Sequence, residues 1–236
     1  MRLPPLESGR LVRRYKRFLA DVRLDDGREL TAWCPNPGRM TGCAAPGWRV
    51  WISRSERPGR KLPHTWEVSD TPAGTGILVH TGRTNALAVQ AIEAGLLPGL
   101  AGYPTLRTEV KDHAGSRVDI RLEGPGRPPC WVEVKAVTLP AEARTGAFPD
   151  AVTARGKKHL GALAARVAAG ERAVQLYVLA RGDLDAVRPA REIDPAYADA
   201  LHAAADAGVE LMALRAVVEA DHVRPLGPGR VIVPGR

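Results

Sequence analysis

The pattern of the chain changes near residue 80, and this change most limits the folds that it can adopt. Before it, short alternating apolar segments are separated by turn-forming sequences such as Asp26-Gly27. After it, helical periodicity alternates with apolar, strand-like runs. We therefore predict a mixed α+β protein of two domains, in which residues 1–83 form a small β-barrel and residues 84–236 form an α/β domain with a mixed sheet.

Positive charge is concentrated in the first of these segments. Residues 1–84 contain 15 Lys or Arg and 8 Asp or Glu, a net charge of +7, whereas the remainder contains 19 and 18, a net charge of +1. Six of the 11 aromatic residues lie in the same segment, so cations that can meet phosphates stand beside rings on which bases can stack. About five short strands of this composition indicate an OB-like barrel that binds nucleic acid. The alternative is a solvated basic face around a tryptophan-rich core.

Several classes of protein are excluded by simple features. No apolar run approaches the roughly 18 residues that a membrane-spanning helix needs, and the best candidate covers only residues 173–180. The start of the chain lacks the apolar stretch of a secretory signal. Cys34, Cys43 and Cys130 do not have the spacing of a zinc site or of a disulfide framework. We therefore expect a cytoplasmic protein with reduced thiols and no membrane partner.

In the second segment, the spacing of apolar residues predicts three helices and a series of strands. Thr84 is expected to cap a helix that ends near residue 97, Asp150 a helix that ends near residue 169, and Asp194 a helix that ends near residue 207. Strands are predicted over residues 106–110, 117–122, 131–139, 173–180 and 209–218. This order indicates a mixed sheet flanked by helices.

Three charged residues on two of these strands form a candidate site. If the turn at residues 124–128 closes the hairpin symmetrically about Gly126, residues whose numbers add to 252 face each other. Asp119 and Glu133 are then cross-strand neighbours with side chains about 5 Å apart, and Lys135 shares a face with Glu133. Two carboxylates this close favour a hard divalent cation, Mg²⁺ or Mn²⁺, between them. The alternative is a surface hairpin with a cluster of salt bridges.

Each residue around this hairpin has a predicted role. Lys135 can stabilise the negative charge that develops on a phosphate, or orient an attacking water that the metal activates. Glu109, on the preceding strand, is a third candidate metal ligand, or else an edge-strand salt-bridge partner. The candidate catalytic residues are Asp119, Glu133 and Lys135. The residues that we expect to contact nucleic acid are Arg14, Lys16, Arg17, Arg39, Arg117, Arg155, Lys158 and His159.

Sequence blocks along nearly the whole chain resemble those of one known family. The blocks are YKRFLADV (15–22), CPN (34–36), MTGC (40–43), PHTWE (63–67), SRVD (116–119), VEVK (132–135), and FPDAVT, RG and KHL between residues 148 and 160. Asp119, Glu133 and Lys135 on this frame look like the core of PD-(D/E)XK nucleases, and the blocks more specifically resemble the sugar fermentation stimulation protein A (SfsA) family.

This resemblance implies both a fold and a function. It implies an OB-like domain joined to a restriction endonuclease-like domain, DNA binding with little sequence preference, and a regulatory role in the use of sugars, particularly maltose. It also implies that the helix carrying His159 lies next to the nuclease site. The family usually reads Cys-Pro-Asn-Thr-Gly where this chain has Pro37 before Gly38, so a hydroxyl that can contact a phosphate is missing. It often has an acid where this chain has Gln90.

Two functions follow, and they share DNA binding. The first is a Mg²⁺- or Mn²⁺-dependent nuclease that hydrolyses phosphodiester bonds, and the second is a non-catalytic DNA-binding regulator on the same scaffold. A third alternative is a protein-interaction module whose charge only aids solubility. RNA in place of DNA, and assembly as a homodimer, stay open.

Overall fold

The computed structural model describes residues 1–111 and 117–233. Ser116, the first residue of one of the family blocks, lies outside the described residues. Six strands form the first part of the protein. They are β1 (Leu6–Tyr15), β2 (Leu19–Leu24), β3 (Glu29–Trp33), β4 (Arg49–Arg54), β5 (His64–Asp70) and β6 (Gly76–Leu78). Along β2, Ala20, Val22 and Leu24 are buried while the residues between them are more exposed, because side chains alternate along a strand.

Five of these strands close into a barrel. Neighbouring strands are hydrogen-bonded in the order β3-β2-β1-β4-β5-β6, and an additional pairing of β3 with β5 completes the circuit. That pairing is parallel, with Trp33 opposite Thr65. Leu11, Val50 and Ile52 are among the apolar side chains that fill the interior. The predicted OB-like barrel is therefore confirmed.

In the residues that the structure describes, the second part combines three α-helices with nine strands. The helices are α1 (Gly82–Glu93), α2 (Ala154–Ala168) and α3 (Pro195–Asp206), and a short 3₁₀ turn spans Pro98–Leu100. The strands are β7 (Thr105–Lys111), β8 (Arg117–Glu123), β9 (Cys130–Val137), β10 (Leu139–Pro140), β11 (Thr145–Phe148), β12 (Arg172–Leu179), β13 (Ala186–Pro189), β14 (Glu210–Val218) and β15 (Val223–Val231).

These nine strands form one mixed sheet with helices on both faces, as predicted. Their order is β10-β11-β13-β15-β14-β12-β9-β8-β7. Strands β9, β12 and β14 run parallel to one another, whereas β7, β8 and β9 form antiparallel pairs. Leu176 and Tyr177 of β12 enter different cores: Leu176 packs in the core that contains Leu87 of α1, and Tyr177 in the core that contains Leu160 of α2 and Leu201 of α3.

Two of the three predicted helix caps are wrong. Helix α1 begins at Gly82 with Thr81 as its N-cap residue, and the Thr84 hydroxyl donates a hydrogen bond to the carbonyl oxygen of Thr81 (2.6 Å). Helix α2 begins at Ala154, and the residue that caps it is Thr153, whose Oγ1 accepts a hydrogen bond from the backbone N–H of Gly156 (3.0 Å). In both cases another threonine or aspartate lies three residues away, and either position satisfies the sequence rule for a cap.

Strand β15 was not predicted, because its sequence contains residues that normally interrupt strands. It carries Pro225, Gly227, Pro228 and Gly229 between its ends. It pairs with β14 along most of its length, but with β13 only at Arg230 and the residue after it. A strand that is open on one side tolerates proline, because the missing N–H does not remove a bond from a second neighbour.

The barrel and the second part share an apolar core. Val68 of β5 and Leu78 of β6 pack in the same cluster as Ile120 and Val132 of the large sheet. The backbone N–H of Leu78 also donates a hydrogen bond to the carbonyl oxygen of Ala180 (2.8 Å). In the described ranges, no helix is long and apolar enough to cross a membrane.

Candidate active site

The β8–β9 hairpin has the predicted register and brings Asp119 to β9. Ile120 lies opposite Val132 and Leu122 opposite Cys130, so the paired numbers add to 252. The backbone pairing of β8 with β9 ends at Ile120. Beyond this point, the Asp119 carboxylate accepts the hydrogen bond that a backbone carbonyl of a paired strand would accept. Its Oδ2 accepts a hydrogen bond from the backbone N–H of Val134 (2.7 Å).

Asp119 is also held by the first helix of the second part. Its Oδ1 accepts a hydrogen bond from Nδ2 of Asn85 on α1 (2.9 Å). Burial raises the pKa of Asp119, and the negative charge of Glu133 raises it further. Asn85 was not predicted as a site residue. The available signal was its position three residues before Ala88 and seven before Ile92, which places a polar side chain beside the buried stripe of the helix.

Glu133 is the most enclosed of the three predicted catalytic residues. Its side chain is only 6% exposed, and its Oε1 is contacted by both Lys135 Nζ and His159 Nδ1. Burial by itself would raise the pKa of Glu133, but the hydrogen bond from His159 and the positive charge of Lys135 outweigh it, so this pKa is lowered. Glu133 is therefore a buried carboxylate that stays ionised.

His159 connects α2 to this group. Arg155 Nε donates a hydrogen bond to His159 Nε2 (3.2 Å). Because a guanidinium can only donate, Nε2 is the acceptor, and the proton of a neutral imidazole lies on Nδ1, facing Glu133. Lys135 Nζ lies 3.2 Å from the same Nδ1 and makes its own hydrogen bond to Glu133. His159 thus holds Glu133 while Arg155 holds His159.

These residues line a cleft of about 950 Å³ between the barrel and the large sheet. The barrel supplies Arg14, Arg17 and residues 36–39, and the second part supplies the start of α1, the middle of β9 and the start of α2. The charged lining residues are five cations, Arg14, Arg17, Arg39, Lys135 and Arg155, and three carboxylates, Asp119, Glu133 and Asp150. The cationic excess suits a polyanion.

The residues predicted to contact nucleic acid do not all lie at this cleft. Five of them, Arg14, Arg17, Arg39, Arg155 and His159, line it. Lys16 and Lys158 are exposed and are not lining residues. Arg117 lines a separate, narrow groove that reaches Glu133 and His159 beside Trp131 and Arg166.

Arg14 has a structural role within the barrel. Its guanidinium donates hydrogen bonds to the carbonyl oxygens of Asn36 (2.8 Å), Gly38 (2.9 Å) and Arg39 (3.3 Å). These bonds hold the loop at residues 35–40, so Arg14 shapes the wall of the cleft. Pro37 is exposed on that loop and lines the cleft.

The loop is also attached to the second part. Asp150 Oδ2 accepts a hydrogen bond from the backbone N–H of Met40 (2.9 Å), and Thr81 Oγ1 donates one to the carbonyl oxygen of Pro35 (2.7 Å). A Cβ atom on Gly38 would lie 2.3 Å from Asp150 Oδ2, so this position requires glycine. Asp150, predicted as a helix cap, instead anchors the barrel loop.

The structure does not bring Glu109 to the carboxylate pair. Its side chain is 55% exposed, it lies 4.0 Å from the guanidinium of Arg117, and it is not among the residues that line the cleft. Its backbone has a φ of +53°, and the ladder between β7 and β8 has no registered pair at this residue. Gln90 is also outside the lining, and its Oε1 accepts a hydrogen bond from the amino group of Met1 (3.3 Å).

A second acidic group lies far along the chain, in the turn between β14 and β15. Among the described residues, Glu219, Asp221 and His222 have potential ligand atoms within 4.8 Å of one another. The two acids are exposed, and His222 contacts both carboxylates (3.3 Å to Glu219, 2.7 Å to Asp221). Contacts of His222 with the two acids on the surface account for this group.

Comparison with known proteins agrees with the architecture. A family model described as the SfsA N-terminal OB domain matches residues 12–80, and one described as the sugar fermentation stimulation protein RE domain matches residues 82–222. The sugar fermentation stimulation protein homolog of Aeromonas salmonicida (strain A449) is 52% identical over 216 residues, which cover 90% of this chain and 87% of the relative. The homolog of Pseudomonas putida (strain GB-1) is 53% identical over 222 residues, which cover 93% of each.

One solved structure matches over nearly the full length. The structure of Pyrococcus furiosus SfsA in complex with Ca²⁺ superposes with a TM-score of 0.87 at 26% sequence identity, covering 99% of this chain and 98% of that one. The two family models together span most of the barrel and the large sheet. The chain belongs to the sugar fermentation stimulation protein (SfsA) family.

Proposed function

We propose that this protein binds DNA in the cleft, with little sequence preference, and hydrolyses its phosphodiester bonds with the help of Mg²⁺ or Mn²⁺. The observation that carries the proposal is the meeting of Asp119, Glu133 and Lys135 in one cleft whose lining cations outnumber its carboxylates. Arginines that contact phosphates bind nucleic acid without reading its sequence, which is the reason to expect little preference.

The residues present fit a divalent cation. Glu133 is buried and Asp119 is half-buried. Burial raises the pKa of Asp119 and the charge of Glu133 raises it further, so a cation between them would relieve their repulsion. Carboxylate oxygens are the ligands that Mg²⁺ and Mn²⁺ prefer. When bound, such an ion would polarise a phosphoryl oxygen and lower the pKa of a water. The Ca²⁺ in the Pyrococcus furiosus relative supports a site for hard divalent ions in this family.

The other residues of the cleft would bind and orient the substrate. Arg17 and Arg39 are exposed and line the cleft from the barrel side, where they would hold phosphates of the bound strand. Lys135 Nζ lies 2.5 Å from Glu133 Oε1 and is only 15% exposed, so a phosphate that displaces this contact would meet a confined positive charge. His159 keeps Glu133 in place when Lys135 turns to the substrate.

A non-catalytic DNA-binding role, with regulation of sugar or maltose use as its outcome, is the second candidate. One observation favours it: protein donors already contact both carboxylates, Asn85 and Val134 on the two oxygens of Asp119, and Lys135 and His159 on Oε1 of Glu133. Carboxylates that have protein partners are compatible with a scaffold that only binds DNA.

A cleavage assay with purified protein separates the two. Single- and double-stranded DNA and RNA are incubated with Mg²⁺, Mn²⁺, Ca²⁺ or EDTA, using the wild type and the variants Asp119→Asn and Lys135→Ala. The nuclease proposal expects cleavage with Mg²⁺ or Mn²⁺ that both variants lose while they still bind DNA. Lys61→Ala, an exposed lysine on the barrel, is the control and should cleave normally. Salt-sensitive binding without turnover in any metal would support the regulator instead.

A further inference from the structure

The turn that joins β1 to β2 has an unusual backbone for the residues it contains. Tyr15 pairs with Leu19, so Lys16, Arg17 and Phe18 form the connection. The backbone φ is +47° at Lys16 and +62° at Arg17, a region that L-residues with side chains rarely adopt. The backbone N–H of Phe18 donates a hydrogen bond to the carbonyl oxygen of Lys16 (2.7 Å), which closes a γ-turn centred on Arg17.

Glycine would fit this turn more easily. The next hairpin of the barrel, between β2 and β3, has Gly27 at a φ of +90°. The β1–β2 turn instead keeps two cations and an aromatic residue in a strained conformation. Strain of this kind concentrates at functional sites, where the side chains are needed more than the relaxed backbone.

Phe18 is the exposed ring of this turn. Its side chain is 45% exposed, which is unusual for phenylalanine in a barrel whose other aromatic residues are more covered. Arginine guanidinium groups lie over five other rings, those of Tyr15, Trp33, Trp51, Tyr103 and Trp131. In the part of the chain that the structure describes, no ring or guanidinium is stacked on Phe18.

The turn contributes one residue to the lining of the cleft. Arg17, the residue before Phe18, is a lining residue together with Arg39. The carbonyl oxygen of Phe18 accepts a hydrogen bond from the backbone N–H of Cys34 (2.8 Å), at the start of the loop that carries Arg39. Phe18 is not itself a lining residue, but its exposed ring follows a cation that lines the cleft, and its backbone is bonded to the segment that leads to Arg39.

We propose that Phe18 stacks on an unpaired base of a nucleic acid whose phosphates are held by Arg17 and Arg39. This inference rests on the nucleic-acid binding proposed above and narrows the ligand to strands with unpaired bases, such as single strands or frayed ends. A base inside a duplex already has both faces covered by its neighbours, whereas an unpaired base offers a free face to the ring. The cations attract the phosphates of any strand, whereas Phe18 makes the protein prefer strands with unpaired bases.

The test measures the affinity of full-length protein for DNA of about 12 nucleotides, within the site size of one OB barrel. The same sequence is presented as a single strand and as a duplex, in EDTA so that cleavage does not interfere. Phe18→Ala and Phe18→Leu should both weaken single-strand binding by about 5- to 150-fold and leave duplex binding nearly unchanged. Phe18→Trp should keep single-strand affinity, because it retains a flat ring. Val12→Ala removes a comparably exposed apolar side chain of β1 (44%) and is the control that should bind normally.

The outcomes separate this inference from the function on which it rests. If wild-type protein binds neither form of DNA, both proposals fail. If wild-type protein binds but Phe18→Ala binds single strands equally well, or loses affinity equally for single strands and duplex, stacking is refuted while nucleic-acid binding stands. Thermal unfolding of each variant checks that the fold is retained. Among variants that unfold like the wild type, a difference in single-strand affinity between Phe18→Leu and Phe18→Trp reports on the flat ring.

Discussion

The backbone N–H of Met40 donates a hydrogen bond to the carboxylate of Asp150, 110 residues further along the chain (2.9 Å). This contact joins the loop at residues 35–40 to the segment that leads into α2. It therefore connects the barrel, which carries Arg39, to the helix that carries His159. The wall of the cleft is built from both parts of the protein, and its shape depends on this bond.

We expect Gly38 and Asp150 to be energetically coupled. In the wild type, Gly38→Ala would place a Cβ 2.3 Å from Asp150 Oδ2 and should destabilise the fold by about 1–3 kcal/mol. In an Asp150→Ala background the clash is gone, and the same change should cost much less. Urea unfolding of the four proteins measures the coupling. Gly161→Ala, where an added Cβ meets nothing within 4 Å, is the control and should stabilise α2 by about 0.5–1 kcal/mol. Additive effects of Gly38→Ala and Asp150→Ala would contradict the contact.

The ion pair between Glu67 and Arg83 should make stability depend on pH in the acid range. Glu67 is 1% exposed, and Arg83 contacts both of its carboxylate oxygens (2.6 and 2.8 Å). Burial works to raise the pKa of Glu67, but the bonds from Arg83 and Ser53 outweigh it and lower this pKa below 4.5. A lowered acid pKa contributes stability that is present above pH 4.5 and is lost as the pH falls through the folded value.

Glu67→Gln tests this pair. Removing one partner of a buried ion pair should cost about 3–5 kcal/mol near neutral pH. The variant should also lose less stability than the wild type as the pH falls below 4.5, because its side chain does not titrate. Denaturant unfolding at a series of pH values measures both effects. If the free energy of unfolding changes with pH in the same way for both proteins, Glu67 is not the cause of the loss of stability in acid.

Divalent cations should stabilise the protein through Asp119 and Glu133. Mg²⁺ or Mn²⁺ at about 100 times its dissociation constant should add about 2.7 kcal/mol, and EDTA should remove the gain. Because the pKa of Asp119 is raised, protons compete with the cation there, and the gain should shrink as the pH falls. Asp119→Asn and Glu133→Gln should abolish it, whereas Glu219→Gln, in the exposed acidic group, should not. Thermal unfolding with and without metal measures this. Loss of the gain only in Glu219→Gln would place the ion at the other group.

Arg17→Gly should separate stability from binding. Glycine relieves the strain of a positive φ, worth about 1–2 kcal/mol, but costs about 0.5–1 kcal/mol of chain entropy, so the free energy of unfolding should stay level or rise slightly. DNA affinity should fall by roughly threefold to tenfold, because a phosphate contact is lost, and its dependence on salt should become shallower. Titrations at several salt concentrations, alongside urea unfolding, test both parts. A marked loss of stability would show that the arginine side chain supports the turn.

The carboxylate pair was predictable because a local feature determines it. A turn rich in glycine and proline closes about Gly126, whose φ is +69°, and the symmetric count then places Asp119 near Glu133. The pattern of strands and helices likewise indicated the barrel and the mixed sheet. Short-range rules of this kind depend only on residues close in sequence.

Two contacts made by distant segments could not be predicted from such local rules. Asn85 reaches Asp119 across 34 residues, and Asp150 reaches Met40 across 110. Nothing local distinguishes Asp150 as a loop anchor from Asp150 as a helix cap, since its short acidic side chain suits both roles. The position of Glu109 failed to follow its strand pattern for a related reason: its positive φ breaks the alternation on which the prediction depends.

Gly76 has a further consequence for how a ligand would enter. A Cβ at this residue would lie 2.1 Å from the carbonyl oxygen of Val218, so β6 rests directly on β14 with no side chain between the backbones. Together with the bond from Leu78 to Ala180, this joins the barrel to the large sheet by direct backbone contact. An incoming strand would meet walls already in position. Its association should therefore be a single kinetic step, with a rate set by diffusion and charge and without a slow closing phase.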